Sequence, residues 1–393
     1  MQKKIIALAV AGLVSGAAFA QSNVTIYGVA DATFESVKAS SSSAGGNAFD
    51  FDRRNRVTSN SNFIGFKGTE DLGNGLKAVW QFENGLNTDG TAGVWNNRDS
   101  FVGLSSGMGT VVMGNLTTPV RAIGAKLDVN SGATGIGANT ALLAKLGGTL
   151  GENGASQMDQ RTGNAIAYVS PTYSGFNATV AYSAGTTQAS GLAMREASGA
   201  NGADGLNGNT AWALGANYDN GPLYVGYGYT RVNATNNGAA AADGIAATID
   251  SLRTHRVGAI YKLGTMGQIG FLWDNTRAEV SGGSNLKQNV WYLSGKYNLS
   301  ANGTLIGQFG HAGDVSGNGN GVDQSAKHWM IGYEHALSKR TILKAGYSKI
   351  SNDNAASYDF LYGVSSPNTT ATAAGMTTGT SVSGFFAGMR HSF

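Results

Sequence analysis

The sequence predicts an all-β fold, a transmembrane antiparallel β-barrel of about sixteen strands with long extracellular loops at one rim and short periplasmic turns at the other. Three observations carry this. Segments whose side chains alternate between apolar and polar recur from residue 24 to the last residue, the pattern of strands with one greasy and one wet face. Tight turns and long polar connections follow one another in regular succession. The chain also closes on an alternating strand, in which Phe385, Ala387, Met389, His391 and Phe393 share one face and Phe386, Gly388, Arg390 and Ser392 the other. A last strand with a greasy face and no polar tail needs a partner on both edges, which a closed barrel supplies.

Composition limits the alternatives. The 393 residues fit one large domain or two to three ordinary ones. With 59 glycines against 4 prolines, 13% charged and 41% hydrophobic residues, many strands joined by small-residue turns are favoured. The glycines keep no fixed period, which argues against a collagen-type repeat. Having no cysteine, the chain has no thiol nucleophile, disulfide or cysteine metal site. A formal net charge of +3 is near zero for this length, so nucleic acid is not an expected partner. Residues 1–20 read as a secretory signal peptide, with Lys3 and Lys4, an apolar run over residues 5–14, and Ala18-Phe19-Ala20 before Gln21. Cleavage is expected after Ala20, leaving residues 21–393 as the barrel. The apolar run is too short to span a bilayer, and no second run of about 18 apolar residues follows, so insertion must use strands.

Taken in order, the first strand covers residues 24–37, with Val24, Ile26, Gly28, Ala30, Ala32 and Phe34 opposite Thr25, Tyr27, Asp31, Thr33 and Glu35. The same alternation returns with Phe176, Ala178, Val180 and Tyr182, with Leu223, Val225, Tyr227 and Tyr229, and with Ile269, Phe271 and Trp273. It continues through Trp291 and Leu293, Trp329 and Ile331, and Leu343, Ala345 and Tyr347. Tyrosine and tryptophan gather near segment ends, as where strands cross a membrane interface. Connections at 70–74, 106–108, 171–175, 219–222, 263–265, 299–303 and 337–339 read as tight turns. Stretches rich in Gly, Ser, Asn and Ala at 38–55, 88–96, 117–161, 186–208, 233–249, 280–285, 314–324 and 353–380 read as long loops. Sixteen strands spaced about 4.8 Å apart and tilted about 45° enclose a backbone diameter of roughly 35 Å. Side chains do not fill that width, so a polar inner face predicts a water-filled pore, narrowed by whatever folds into it. Asp31, Glu35, Glu83, Asp274, Glu334, Arg256, Lys262, Lys296 and Lys344 fall on the inner faces.

The final strand, Gly388-Met389-Arg390-His391-Ser392-Phe393, resembles the closing strand and assembly signal of bacterial outer-membrane barrels, with Phe385, Met389, His391 and Phe393 as its signal positions. The whole mature chain resembles the general porins of the beta-proteobacterial outer membrane. The likeness is strongest in residues 24–31, in residues 65–83 (from Gly65-Phe66-Lys67-Gly68 to Trp80-Gln81-Phe82-Glu83), and in residues 98–104 and 168–176. The resemblance implies a homotrimer in the outer membrane of a Gram-negative bacterium, surrounded by outer-membrane lipid and inserted by the barrel assembly machinery. It implies passive diffusion of small hydrophilic solutes and ions, no cofactor, and a third long loop, residues 117–161, folded into the lumen opposite wall cations. Arg53, Arg54, Arg56, Lys67, Lys77 and Arg98 are the wall candidates, and Asp128, Glu152 and Asp159 the loop acids, with Lys126 and Lys145 partly offsetting them. A cationic wall against an acidic loop would set up a transverse field that weights ion flux by charge. The sequence departs from the family where Asn62-Phe63, Met113-Gly114-Asn115-Leu116 and Ala167 stand in place of residues that include three lumen arginines.

Those departures and the long third loop leave a substrate-selective channel as the nearest alternative, and a surface-interaction barrel as a more distant one. In residues 139–150, Leu142, Leu143 and Leu146 have helical spacing and are expected to pack a short helix against the wall. No catalytic or metal site is expected. The five histidines lie on different segments, there is no His-Glu-x-x-His or Gly-x-Ser-x-Gly pattern, and Glu334 and His335 point to opposite faces of their strand.

Overall fold

The computed structural model describes residues 23–41, 51–89, 98–130, 135–148, 151–152, 155–184, 210–233, 249–317, 323–360 and 378–393; the expected signal peptide lies outside these. The barrel opens with β1 (Asn23–Ser41), β2 (Phe51–Ser59), β3 (Phe63–Gly73), β4 (Leu76–Gly85), β5 (Ser100–Ser106) and β6 (Gly109–Thr117). A helix, α1 (Pro119–Leu127), and a minute ladder of β7 (Gly151–Glu152) with β8 (Ala155–Ser156) then interrupt the wall. It resumes with β9 (Arg161–Val169), β10 (Phe176–Ser183), β11 (Thr210–Asn220), β12 (Leu223–Asn233), β13 (Ile249–Lys262) and β14 (Gly267–Val280). β15 (Leu286–Asn298), β16 (Gly303–Ala312), β17 (Ala326–Ala336), β18 (Thr341–Asn352) and β19 (Thr380–Ser392) complete it. All pairings are antiparallel, and β19 returns to β1 with Val29 opposite Ser392 and Ser41 opposite Thr380.

One sheet of seventeen strands makes the wall, yet the barrel has sixteen staves, because β2 and β3 run end to end along the same edge of β1. Residues 23–29 of β1 pair with β3, and residues 32–39 with β2. The break falls at Asn60, Ser61 (φ 50°) and Asn62. Two asparagines stitch it: Asn60 Nδ2 donates to Thr33 Oγ1 at 2.6 Å, and Asn62 Oδ1 accepts from the Asp31 backbone N–H. Strand therefore occupies residues 38–41 and 51–55, which the sequence assigns to a loop.

The alternation resolves as expected on the outside, where Val24, Ile26, Phe34, Phe176 and Ile331 are at least half exposed and form an apolar outer surface. The inside differs from the expected wet lining. Inward side chains of β12–β19 and of the upper part of β1 include Ile260, Leu272, Val290, Ile306, Met330, Ile350, Val382 and Val37, all buried in one apolar cluster with the third loop. The loop brings its own Ile123, Leu127, Ile136, Leu142 and Leu143 to that cluster. Part of the lumen is thus filled by dry packing rather than water.

Closure rests on the chain's last residues. The backbone of Phe393 exchanges two hydrogen bonds with Gly28, each 3.1 Å. Phe385, Met389 and Phe393 face outward, while His391 accepts or donates at Thr341 Oγ1 over 2.9 Å. A Cβ on Gly28 would lie 2.5 Å from both the Phe393 ring and the Phe63 carbonyl oxygen. Gly28→Val is therefore expected to cut the yield of folded barrel severalfold, read as the fraction migrating as the compact form on unheated electrophoresis. Ala30→Val, on the exposed outer face two residues on, should leave it unchanged.

Candidate functional site

The third loop leaves β6 through a built helix start. Thr118 caps α1 by accepting from the Arg121 N–H at 3.3 Å, and Pro119 occupies the first turn, where its missing N–H costs nothing. Val120, Ile123, Gly124 and Leu127 form the buried face. That face lies on β11–β14 over a seat of inward glycines. A Cβ at Gly228 would meet the backbone of Val120 at 2.9 Å, and one at Gly258 would meet Leu127 at 2.6 Å. Beyond the helix, Asp128 holds the turn by accepting from the Asn130 N–H (2.8 Å) and the Asn139 N–H (2.6 Å). Burial pushes its carboxyl up to about 7 against the pull of those two donors.

The returning limb is pinned by Arg256 on β13. Its Nη1 and Nη2 reach the two Asp159 oxygens at 2.6 and 3.2 Å, its Nε reaches Asp274 at 2.8 Å, and Nη1 also donates to the Val120 carbonyl at 2.9 Å. All three side chains are 0–1% exposed. One guanidinium thus ties both limbs of the loop to the wall. Gly124 admits it, since a Cβ there would sit 2.6 Å from Arg256 Nη1. Further along, Lys145 Nζ donates to the Asp359 carbonyl (3.2 Å), and the Gly147 N–H to Tyr358 Oη (3.0 Å), so the stretch after β18 holds the loop from the other side.

The opposite face of α1, with Ala122, Ala125 and Lys126, is exposed within the barrel. At the loop's mouth three arginines gather. Arg98 pairs with Glu83 at 3.3 Å, Arg161 pairs with Asp99 at 2.9 Å, and Arg121 donates to the Asp159 carbonyl. Burial, then repulsion from Arg161 and Arg98, pushes Arg121 down to about 10. Asp99 is held below the usual carboxylate range despite burial, by Arg161 and by two hydrogen bonds from Thr117. Toward the short turns, Thr25, Lys67, Thr69, Asp71, Lys77 and Gln81 line a cavity of about 520 Å³. These groups leave a polar crescent of lumen between α1 and the wall of β1, β3–β6 and β9.

The structure separates the residues that the sequence groups together. Lys67, Lys77 and Arg98 face the crescent, with Lys67 over the Tyr27 ring at 4.8 Å and Arg98 over Phe63 at 4.5 Å. Arg56 is buried against Glu35 at 2.7 Å. Arg54 alternates inward beside it, opposite Val37. Arg53 points outward, its guanidinium 5.4 Å from the Phe385 ring, because strand alternation puts it on the face of Val57. Asp128 and Asp159 are buried inside the loop and its clamp rather than facing water, and the Glu152 side chain lies outside what is described. The inward charges are paired, Asp31 with Lys344 (2.8 Å) and Arg390 (3.3 Å), Lys296 with Glu334 (3.9 Å) and Lys262 with Asp219 (3.8 Å). The described part of the segment expected to be helical, residues 139–148, contains only a 3-10 turn, Asn139–Ala141, broken by positive φ at Ala144, Leu146, Gly147 and Gly148. The helix stands earlier, where Thr118-Pro119 and the spacing of Val120, Ile123 and Leu127 signal it. Arg121 and Arg161 carry no local signal, since only the loop's return brings them to Arg98. No group of three or more His, Asp or Glu placed to hold a metal occurs among the described residues.

With this geometry in view, comparison with known proteins is specific. The profile of a family described as Gram-negative porin matches residues 7–355. The chain is 31% identical over 395 residues to outer membrane porin protein 32 of Delftia acidovorans, spanning all of both chains. It is 35% identical over 235 residues to the major outer membrane protein P.IB of Neisseria gonorrhoeae, a match covering 58% of this chain and only 56% of that protein. Among solved structures it resembles the anion-selective porin from Comamonas acidovorans, with TM-score 0.73 and 24% identity over 95% of this chain and 100% of that one. OmpT of Vibrio cholerae follows at TM-score 0.65 and 14% identity, over 95% and 98% of the two chains.

Removing the clamp leaves two buried carboxylates unpaired, a loss of about 3–5 kcal/mol in this kind of site. Arg256→Met is expected to free the loop, raising single-channel conductance and current noise and exposing residues 118–130 to protease. Unchanged conductance with a protected loop would remove Arg256 from this role. Asp128 supplies a pH dependence. Its folded pKa lies above the ordinary value near 3.9, so its contribution is whole below that value and is lost as pH rises through about 7. Hydrogen exchange in residues 136–143, corrected for intrinsic rate, should quicken from pH 5 to pH 8, and Asp128→Asn should flatten the trend.

Proposed function

The chain belongs to the Gram-negative porin family of outer-membrane channel proteins, which are not enzymes, and on that premise we propose how solutes pass through it. Small hydrophilic solutes and ions diffuse along the polar crescent between the exposed face of α1 and the wall of β3–β6 and β9. No bond is made or broken, and the loop clamped by Arg256 sets the narrowing. The observation that carries the charge preference is the grouping of Arg98, Arg121 and Arg161. Glu83 and Asp99 answer two of these cations, while among the described residues Arg121 meets a backbone carbonyl and no carboxylate within 4 Å. Lys67, stacked on Tyr27, adds a cation below them. The surplus is positive, so the narrowing favours anions. Asp128 and Asp159 are kept off this path, Asp128 enclosed in the loop and Asp159 buried in the clamp, where it shares Arg256 with Asp274. The sign agrees with the selectivity named for the Comamonas porin. A homotrimer is the assembly we propose, in keeping with the trimer form of the fold relative OmpT.

In a potassium chloride gradient across a planar bilayer, the reversal potential of the wild type should lie toward chloride. Arg98→Gln, Arg121→Gln and Arg161→Gln combined should move it toward potassium with the channel still open. A wild-type potential toward potassium, or one unmoved by the triple substitution, would refute the cluster as the selective element.

A further inference from the structure

A second group of cations lies on the outer wall, away from the lumen. Arg231 of β12, Arg253 of β13, Arg277 of β14 and Lys287 of β15 stand directly opposite one another across four neighbouring strands. Alternation places them on the outward face. They share it with Tyr227, Tyr261, Phe271 and Leu293, all exposed, while Leu252, Arg256, Leu272 and Val290 of the same strands are buried inside. Like charges directly opposite in a sheet repel one another, and an outward-facing row of cations is tolerated only near the interface, not at the bilayer midplane. Internal neutralisation is incomplete. Glu279 takes Arg253 at 3.0 Å and Arg231 at 3.5 Å, and the Ser251 hydroxyl at 2.6 Å. Arg277 donates only to Asn275 Oδ1, at 3.1 Å, and neither it nor Lys287 has a carboxylate within 4 Å among the described residues. The exposed Asp250 is engaged by the Ser281 hydroxyl at 2.5 Å. Among the described residues, four cations stand against Glu279 on the row and Asp250 at its rim, a surplus of two positive charges.

Its depth identifies the occupant. The row below carries Tyr229, His255, Asn275 and Asn289, and the next carries Tyr227, Val257, Trp273 and Trp291. Tryptophans at such a level mark the membrane interface. Arg277 is four residues beyond Trp273, roughly 9–10 Å further out for a tilted strand. These strands end there in the long loops, so the row lies at the headgroup level of the outer leaflet. Lys327 of β17 and Lys349 of β18 face outward at the same rim. We propose that Arg231, Arg253, Arg277 and Lys287 form an external docking row for the phosphate groups of an anionic glycolipid of the outer leaflet, of the diphosphoryl lipid A type. The planar guanidinium forks suit phosphate oxygens, and the apolar wall below receives the acyl chains.

The test is lipid binding to the whole detergent-solubilised protein, followed by native mass spectrometry, with diphosphoryl lipid A, the same lipid stripped of phosphate, and inorganic phosphate as probes. Diphosphoryl lipid A should bind, the stripped lipid should bind far more weakly, and Arg253→Gln, Arg277→Gln and Lys287→Gln combined should weaken the first by roughly 100-fold. Conductance, set on the other side of the wall, should not change and serves as the folding control. Lys287→Gln alone, a mild change at the end of the row, should weaken binding severalfold if the triple variant fails to assemble. Equal binding of both lipids, or of lipid A to wild type and variants, would overturn the proposal. So would inorganic phosphate binding as tightly as the lipid, or a photo-crosslinker at Asn289 capturing a second copy of the chain instead of lipid A.

Discussion

The bond network around Arg256 is the interaction on which the rest of the lumen depends. A barrel wide enough for sixteen strands has no reason of its own to be narrow, and its polar loop would stay in solvent unless something held it inside. One buried guanidinium meets that need because it has five donors in a fixed plane. It spends them on the wall through Asp274, on the outgoing limb through the Val120 carbonyl, and on the returning limb through Asp159. Burying these charges is costly in isolation, and their mutual satisfaction makes the arrangement tolerable while fixing its geometry. The position of α1, and hence the width of the crescent, follows from it.

Hydrophobic packing then divides the barrel in two. On β12–β19 the inward positions carry Ile260, Leu272, Val290 and Met330, matched by Leu127, Leu142 and Leu143 of the loop. On β3 and β4 the inward positions carry lysine, threonine, glutamine and glutamate around an open cavity, beside a small apolar patch of Val112, Leu116, Ala165 and Ala167. One wall thus behaves as the core of a soluble protein turned outside in, while the other stays wet. On the proposed path ions keep to the wet side, because the dry side offers no groups to replace their hydration.

Much of the fold was legible in the sequence, and the reason is local. Strand alternation is a property of adjacent residues, so the outer face of Val24 to Phe34, the turns and the closing strand at Phe385 to Phe393 could be read directly. The bend between β2 and β3 hid because Arg54 and Asn55 look like loop residues and their strand exists only against β1. The site was less legible. Lys67, Lys77 and Arg98 sit inward where alternation puts them, and the same alternation sends Arg53 outward, on the face opposite Arg54 and Arg56. Asp159 reads as a loop acid until Arg256, 97 residues away, is seen to enclose it. Arg121 and Arg161 join Arg98 only through the path of the loop. The apolar inner face of β12–β19 was concealed because alternating strands show greasy residues on both sides there, with Tyr227 outward and Tyr224 inward.

The distances in sequence spanned by the loop's anchors bear on how the molecule comes together. Its contacts reach Arg256, then Gln308 through the Gly137 carbonyl, and finally Asp359 beyond β18, in each case a part of the chain made long after the loop itself. Closing such long intervals is slow compared with pairing neighbouring hairpins. The third loop must therefore remain unanchored while the strands accrete one by one, and it finds its seat only once the wall it leans on has curved around it. An assembling chain passes through a wide, leaky stage before it becomes a narrow one.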